Sequence, residues 1–151
     1  MKTIKTMKLR IFIRLFMSFS LLFGSISSAE NMKKIGPLDV HYIAINSTFL
    51  TPEIATSYGI TRSKINALIN ISVLDNTIKG KPAKSVTLSG RATNLLGQSK
   101  ELEFVEVKEG DAIYYLAELN FSHEEIFKFN IQIFDGSEAK TLKFQHKFYV
   151  D

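Results

Sequence analysis

The chain has 151 residues, with 19 Lys and Arg against 15 Asp and Glu, for a formal charge of +4. It has no Cys and no Trp, which excludes disulfide frameworks, thiolate metal sites and cysteine nucleophiles. Hydrophobic residues make up 45% and charged ones 23%, with only 3 Pro, so disordered and Pro-rich classes are excluded as well.

The positive charge is concentrated at the start. Residues 1–29 hold Lys2, Lys5, Lys8, Arg10 and Arg14 and no acid. An apolar run from Leu15 to Phe23 follows, then the small-residue stretch Ser25-Ile26-Ser27-Ser28-Ala29. This is the layout of a secretory signal peptide, with cleavage expected between Ala29 and Glu30. The alternative is an uncleaved anchor extended backwards through Ile11-Phe12-Ile13, which Arg14 interrupts. With no Cys after the apolar run, a bacterial lipoprotein is excluded. Without residues 1–29 the cations fall from 19 to 14 against an unchanged 15 acids, so the exported chain carries −1. The basic footprint of a nucleic-acid binder is then gone, and no stable membrane insertion is expected after cleavage.

Residues 30–36 read as a polar leader, and 37–151 as a single domain. An opening strand runs from about Leu38 to Asn46. Ile65, Ala67, Ile69, Ile71 and Val73 then alternate with Asn66, Asn70 and Ser72. Val86, Leu88, Gly90 and Ala92 alternate with Ser85, Thr87, Ser89 and Arg91. Residues 102–107 change face near Phe104, which predicts a bulge or a strong twist. Residues 112–119 are apolar on both faces, as in a central strand. Phe127, Phe129, Ile131 and Ile133 form one face of the next strand, and Leu142, Phe144, His146, Phe148 and Val150 one face of the last.

Thr51-Pro52-Glu53 predicts an N-cap followed by Pro at the first helical position, with Gly59 ending the turn. Ser122-His123-Glu124-Glu125 has the form of a capping box. Asp135-Gly136 predicts a type I′ hairpin turn. Seven short strands at this spacing predict a seven-stranded antiparallel β-sandwich of immunoglobulin-like architecture, with a small meandering barrel as the alternative.

Chemistry-bearing patterns are sparse. His41, His123 and His146 fall in the first strand, a loop and the last strand, without the short spacings of zinc or copper sites. His146 lies by parity between Phe144 and Phe148, the position of a core histidine. Met32 could add a soft ligand to His41. No metal site and no cofactor is expected from these residues. Glu101, Glu103, Glu106, Glu109 and Asp111 are read as a solvated strand face and turn, against a carboxylate pair for hydrolysis. There is no Gly-x-Ser-x-Gly elbow and no Gly-rich phosphate loop.

The segment 46–64 is less easily assigned to scaffold. Asn46, Thr48 and Phe49, then Arg62 and Lys64, together with Tyr114, are the candidate binding residues. The competing reading has Phe49, Leu50 and Ile60 plugging the end of the sandwich.

These residues also carry a resemblance. His41-Tyr42, the string Asn46-Ser47-Thr48-Phe49-Leu50-Thr51-Pro52-Glu53, Tyr58-Gly59-Ile60 and Arg62-Ser63-Lys64 resemble the opening of the DUF4426 family. Asn94-Leu95-Leu96-Gly97-Gln98, Glu109-Gly110, Ala112-Ile113-Tyr114-Tyr115-Leu116-Ala117, Phe144-Gln145 and Phe148-Tyr149 are similar to its later motifs. The resemblance covers nearly all of residues 31–151. It implies a small exported protein of a Gram-negative, mainly gammaproteobacterial, species, and it implies no activity and no catalytic residues.

The expectation is therefore a periplasmic, non-catalytic binding module. It would dock a periplasmic protein or envelope component through the 46–64 surface or a sheet edge. The alternatives are a metal carrier using His41, His123 or Met32, and a small hydrolase using the carboxylates or a Tyr–Lys pair.

Overall fold

The computed structural model describes residues 31–150, so the expected signal peptide lies outside the described residues. The elements are β1 (Asn31–Ile35), β2 (Leu38–Asn46), a 3-10 turn (Ser47–Phe49), α1 (Pro52–Tyr58), β3 (Asn66–Asp75), β4 (Thr87–Asn94), β5 (Ser99–Leu102), β6 (Val105–Glu109), β7 (Ala112–Asn120), β8 (Ile126–Phe134) and β9 (Ala139–Lys147). Two antiparallel sheets form a sandwich, one in the order β1-β2-β3-β7-β6 and the other β5-β4-β8-β9. The sheets remain separate, so the barrel alternative does not hold.

Period-two alternation builds the core, because residues two apart on a strand share a face. The five-stranded sheet contributes Val40 and Tyr42, Ile69 and Ile71, and Tyr115 and Ala117. The facing sheet contributes Phe127, Phe129, Ile131, Ile133 and Leu142. Phe129 and Phe144 stack across β8 and β9 at 4.4 Å between centroids, and Tyr42 meets Phe144 at 4.5 Å. Each large apolar side chain buried this way contributes about 1.5–3 kcal/mol. Gly90 lets β4 lie close to β8, since a Cβ there would stand 2.8 Å from Ile131 Cγ1 and 3.0 Å from the Asn130 carbonyl oxygen.

There are nine strands rather than the seven expected, for two reasons. Residues 31–35, expected as a leader, form β1, an edge strand paired along β2 from Asn31 opposite Tyr42 to Ile35 opposite Leu38. Its side chains are mostly exposed, so no alternation marks it. The face change near Phe104 is a change of sheet and not a bulge. β5 pairs with β4, β6 pairs with β7, and the chain crosses between the sheets at Glu103-Phe104.

Local chemistry follows the sequence at α1. Thr51 caps it, its hydroxyl accepting from the Ile54 N–H at 3.3 Å, and Gly59 ends it at φ +66°. Two other expectations are corrected. Residues 122–125 form a turn without a helix, although the Ser122 N–H still donates to the Glu125 carboxylate at 2.7 Å. The β8–β9 connection is not type I′, because only Gly136 has positive φ. Asp135 Oδ1 instead accepts from Ser137 N–H, Ser137 hydroxyl and Glu138 N–H, closing a four-residue loop.

Candidate functional site

The segment between β2 and β3 is pinned from within. The Asn46 side-chain amide, buried at the end of β2, donates to the Tyr149 carbonyl at 2.7 Å. The buried Ser47 hydroxyl accepts from Ser63 N–H at 2.9 Å and donates to Ser63 O at 3.1 Å. Arg62 turns back on its own loop. Its Nε donates to Leu50 O at 2.9 Å and a terminal nitrogen donates to Thr48 O at 3.2 Å. Thr61 N–H donates to the Glu118 carboxylate at 2.9 Å.

These bonds press α1 onto the outer face of the five-stranded sheet. Leu50, Ala55 and Ile60 are buried there with Leu68, and Ile45, Ile54, Tyr58 and Leu116 pack around them. The Tyr58 hydroxyl reaches β6 and donates to Glu109 Oε1 at 2.7 Å. Burial, then the bond to this carboxylate, push the phenol well above its usual range. Leu50 and Ile60 are thus buried under α1 on the outer face of the sheet and do not plug the end of the sandwich as the competing reading held, and Phe49 remains 49% exposed.

The six candidate binding residues do not form one site. Asn46, Thr48 and Arg62 are structural pins or their acceptors, while Phe49 and Lys64 face outwards. Tyr114 lies elsewhere, in a groove of about 420 Å³ on the outer face of the same sheet, together with His41, Ser72, Leu74 and Pro82. His41 and Asn46 are separated by five positions of β2, about 17 Å at the usual strand rise.

Sequence reasoning missed the other apolar residues at the Phe49 end. Ile65, Leu95, Leu96 and Tyr149 are all exposed there. The loops carrying them are joined: Ile65 O accepts from Phe121 N–H at 2.9 Å, and the Asn94 amide donates to Glu125 at 2.9 Å. Glu125 O in turn accepts from Phe148 N–H at 2.9 Å. Five of the nine large hydrophobic side chains exposed among the described residues therefore gather at one end of the sandwich. The signal available beforehand was the Leu95-Leu96 pair inside a Gly-containing turn, where polar residues are the norm.

The histidines are separate. His41 lies on β2, His123 accepts from Val150 N–H at 3.1 Å, and His146 packs on Phe148 at 4.5 Å. Burial lowers the pKa of His146, as expected for an imidazole against the aromatic core. Among the described residues no three His, Asp or Glu side chains converge as a metal cluster. The carboxylates disperse as well. Glu101 faces Arg91 at 3.7 Å, Glu109 is bound by Tyr58, and Glu106 accepts from Tyr115 and Ser85 at 3.0 Å each. No helix among the described residues is long and apolar enough to cross a membrane.

The family model for "Domain of unknown function (DUF4426)" matches residues 32–151. A crystal structure of a DUF4426 family protein from Pseudomonas aeruginosa PAO1 is similar, with 35% identity and a TM-score of 0.72, covering 84% of this chain and 99% of that one. Two structures of FetP from uropathogenic Escherichia coli strain F11 share the fold at 12% identity. A copper-bound variant has a TM-score of 0.56, covering 80% of this chain and 95% of that one. The as-isolated protein, expressed in the periplasm, has a TM-score of 0.55, covering 80% and 94%. Comparison with the curated proteins gives no match.

Proposed function

The chain belongs to the DUF4426 family, and on that premise we propose that it is an exported, non-catalytic binding module that docks a protein partner through the apolar rim at one end of its sandwich. The observation that carries this reading is the gathering of Phe49, Ile65, Leu95, Leu96 and Tyr149 on loops that are internally hydrogen-bonded. A rim of exposed apolar side chains on a braced scaffold is the character of a docking surface. The acid-free cationic leader and the likeness to FetP support a periplasmic setting. Strand addition at the β6 edge is a second route to the same function.

The test is crosslinking in the periplasm, followed by affinity capture. Phe49→Ser with Leu96→Ser is expected to lose the wild-type partner, while Phe134→Ser, beside the β8–β9 loop, is expected to keep it. Equal partner lists for the two variants would overturn the docking end.

Metal carriage is the second reading, and one observation favours it. Met32 stands directly opposite His41 in the β1–β2 register. The likeness to copper-bound FetP is one of fold. Metal content after dialysis against copper or zinc tests this reading.

A further inference from the structure

We propose that Met32 and His41 form a two-donor site for Cu(I) on the outer face of the β1–β2 hairpin, an inference that rests on the metal-carriage reading and names its ligands. The two residues are cross-strand partners. Side chains directly opposite on antiparallel strands share a face, with Cβ atoms about 4.5–5.5 Å apart. A thioether on a flexible side chain and an imidazole nitrogen at that separation can close on one ion between them. Met32 is 52% exposed on an edge strand, so its sulfur is reachable from solvent and free to swing. His41 is half-buried at the margin of the groove that Ser72, Leu74 and Tyr114 also line, so its ring is held by the sheet.

The donor chemistry selects the metal. The chain has no Cys, which leaves Met and His as its softest ligands. Thioether and imidazole favour Cu(I), whereas zinc wants four donors and magnesium or calcium wants oxygen. Cu(I) accepts the low coordination number that one sulfur and one nitrogen provide. The cluster of three or more His, Asp or Glu that a divalent ion would seek is absent among the described residues. Binding leaves the sheet unchanged, because both donors lie on the same side of paired strands.

Met32 also supplies its own probe. Of the 4 Met residues, Met1, Met7 and Met17 lie within the first 29 positions, so Met32 is the sole methionine of the exported chain. The experiment is anaerobic titration of the purified protein with Cu(I) against a chromophoric competitor. In parallel, the Met32 methyl resonance is followed on adding Ag(I), a redox-inert stand-in. Wild type is expected to withdraw one equivalent of Cu(I) and to show a shifted Met32 methyl. Met32→Leu and His41→Gln should each weaken binding at least about tenfold. His123→Ala should leave it unchanged. Met32→Leu alters an exposed edge residue and should keep the wild-type circular dichroism and thermal midpoint, so it carries the test even if His41→Gln misfolds. Uptake of copper or zinc that is indifferent to Met32→Leu would overturn this site and leave metal carriage standing. No uptake of either metal would overturn both.

Discussion

The Tyr58 hydroxyl donates to Glu109 Oε1 at 2.7 Å, joining α1 to the edge strand β6 across the outer face of the five-stranded sheet. With β6 held by β7 on one side only, this bond ties a peripheral strand to the helix that covers the sheet.

Tyr58→Phe should cost about 1 kcal/mol in urea denaturation, the usual worth of such a hydrogen bond. It should also change the alkaline limb of the stability profile. The folded state raises the pKa of this phenol, so its contribution is complete below the unfolded value near pH 10 and is lost as pH rises towards the folded one. Tyr58→Phe should therefore lose less stability than wild type above about pH 10. A parallel decline in both proteins would contradict the assignment.

Arg62 bonds to Leu50 O and Thr48 O, so Arg62→Ala should destabilise by about 1–2 kcal/mol through loss of charge-assisted bonds. Arg62→Lys should recover only part, since an ammonium does not reproduce the two-pronged contact. The readout is the urea midpoint of each variant. Wild-type stability in Arg62→Ala would return Arg62 to the candidate ligand-binding residues.

Gly90→Ala should be costly. A Cβ at this position would meet Ile131 Cγ1 at 2.8 Å and the Asn130 carbonyl oxygen at 3.0 Å, and the second is backbone. Overpacking of this kind costs about 1–3 kcal/mol. A thermal midpoint equal to wild type would show that β4 and β8 can separate without penalty.

Acid should unfold the domain through Asp135 in the β8–β9 loop, Asp39 in β2 and Asp75 at the end of β3. Asp135, bonded by Lys140 and Ser137, is held well below the usual carboxylate range. Asp39 is lowered by Lys81 and Asn76, and Asp75 by Thr77. A depressed folded pKa gives stability that is present above the unfolded value near pH 4 and lost as pH falls below it. Urea midpoints should fall below about pH 5. Asp135→Asn should start lower and fall less steeply, and an unchanged slope would remove Asp135 from the acid response.

Alternation made much of this fold legible. Phe127, Phe129, Ile131 and Ile133 are all buried as their spacing requires, with Lys128, Asn130 and Gln132 exposed between them. It failed at β1, because an edge strand with both faces largely in solvent has no pattern to read. It also failed at Phe104, because two strands of different sheets, joined end to end, look like one strand with a defect. The Thr51 cap was legible because its partner is three residues away, whereas the partners of Arg62 depend on how the loop closes. The apolar rim was read only through Phe49. Ile65, Leu96 and Tyr149 lie far apart in the chain, and only the packed sandwich brings their loops to one end.

The Asn46 amide that grips the Tyr149 carbonyl also fixes a direction of exit. Polypeptide fused beyond Val150 leaves the sandwich beside Phe49 and Ile65, where a purification tag or reporter would sit over the rim it was meant to leave open. A fusion ahead of Asn31 does not escape this, because β1 runs from Asn31 opposite Tyr42 to Ile35 opposite Leu38, so its start points along β2 towards Asn46 and the same end.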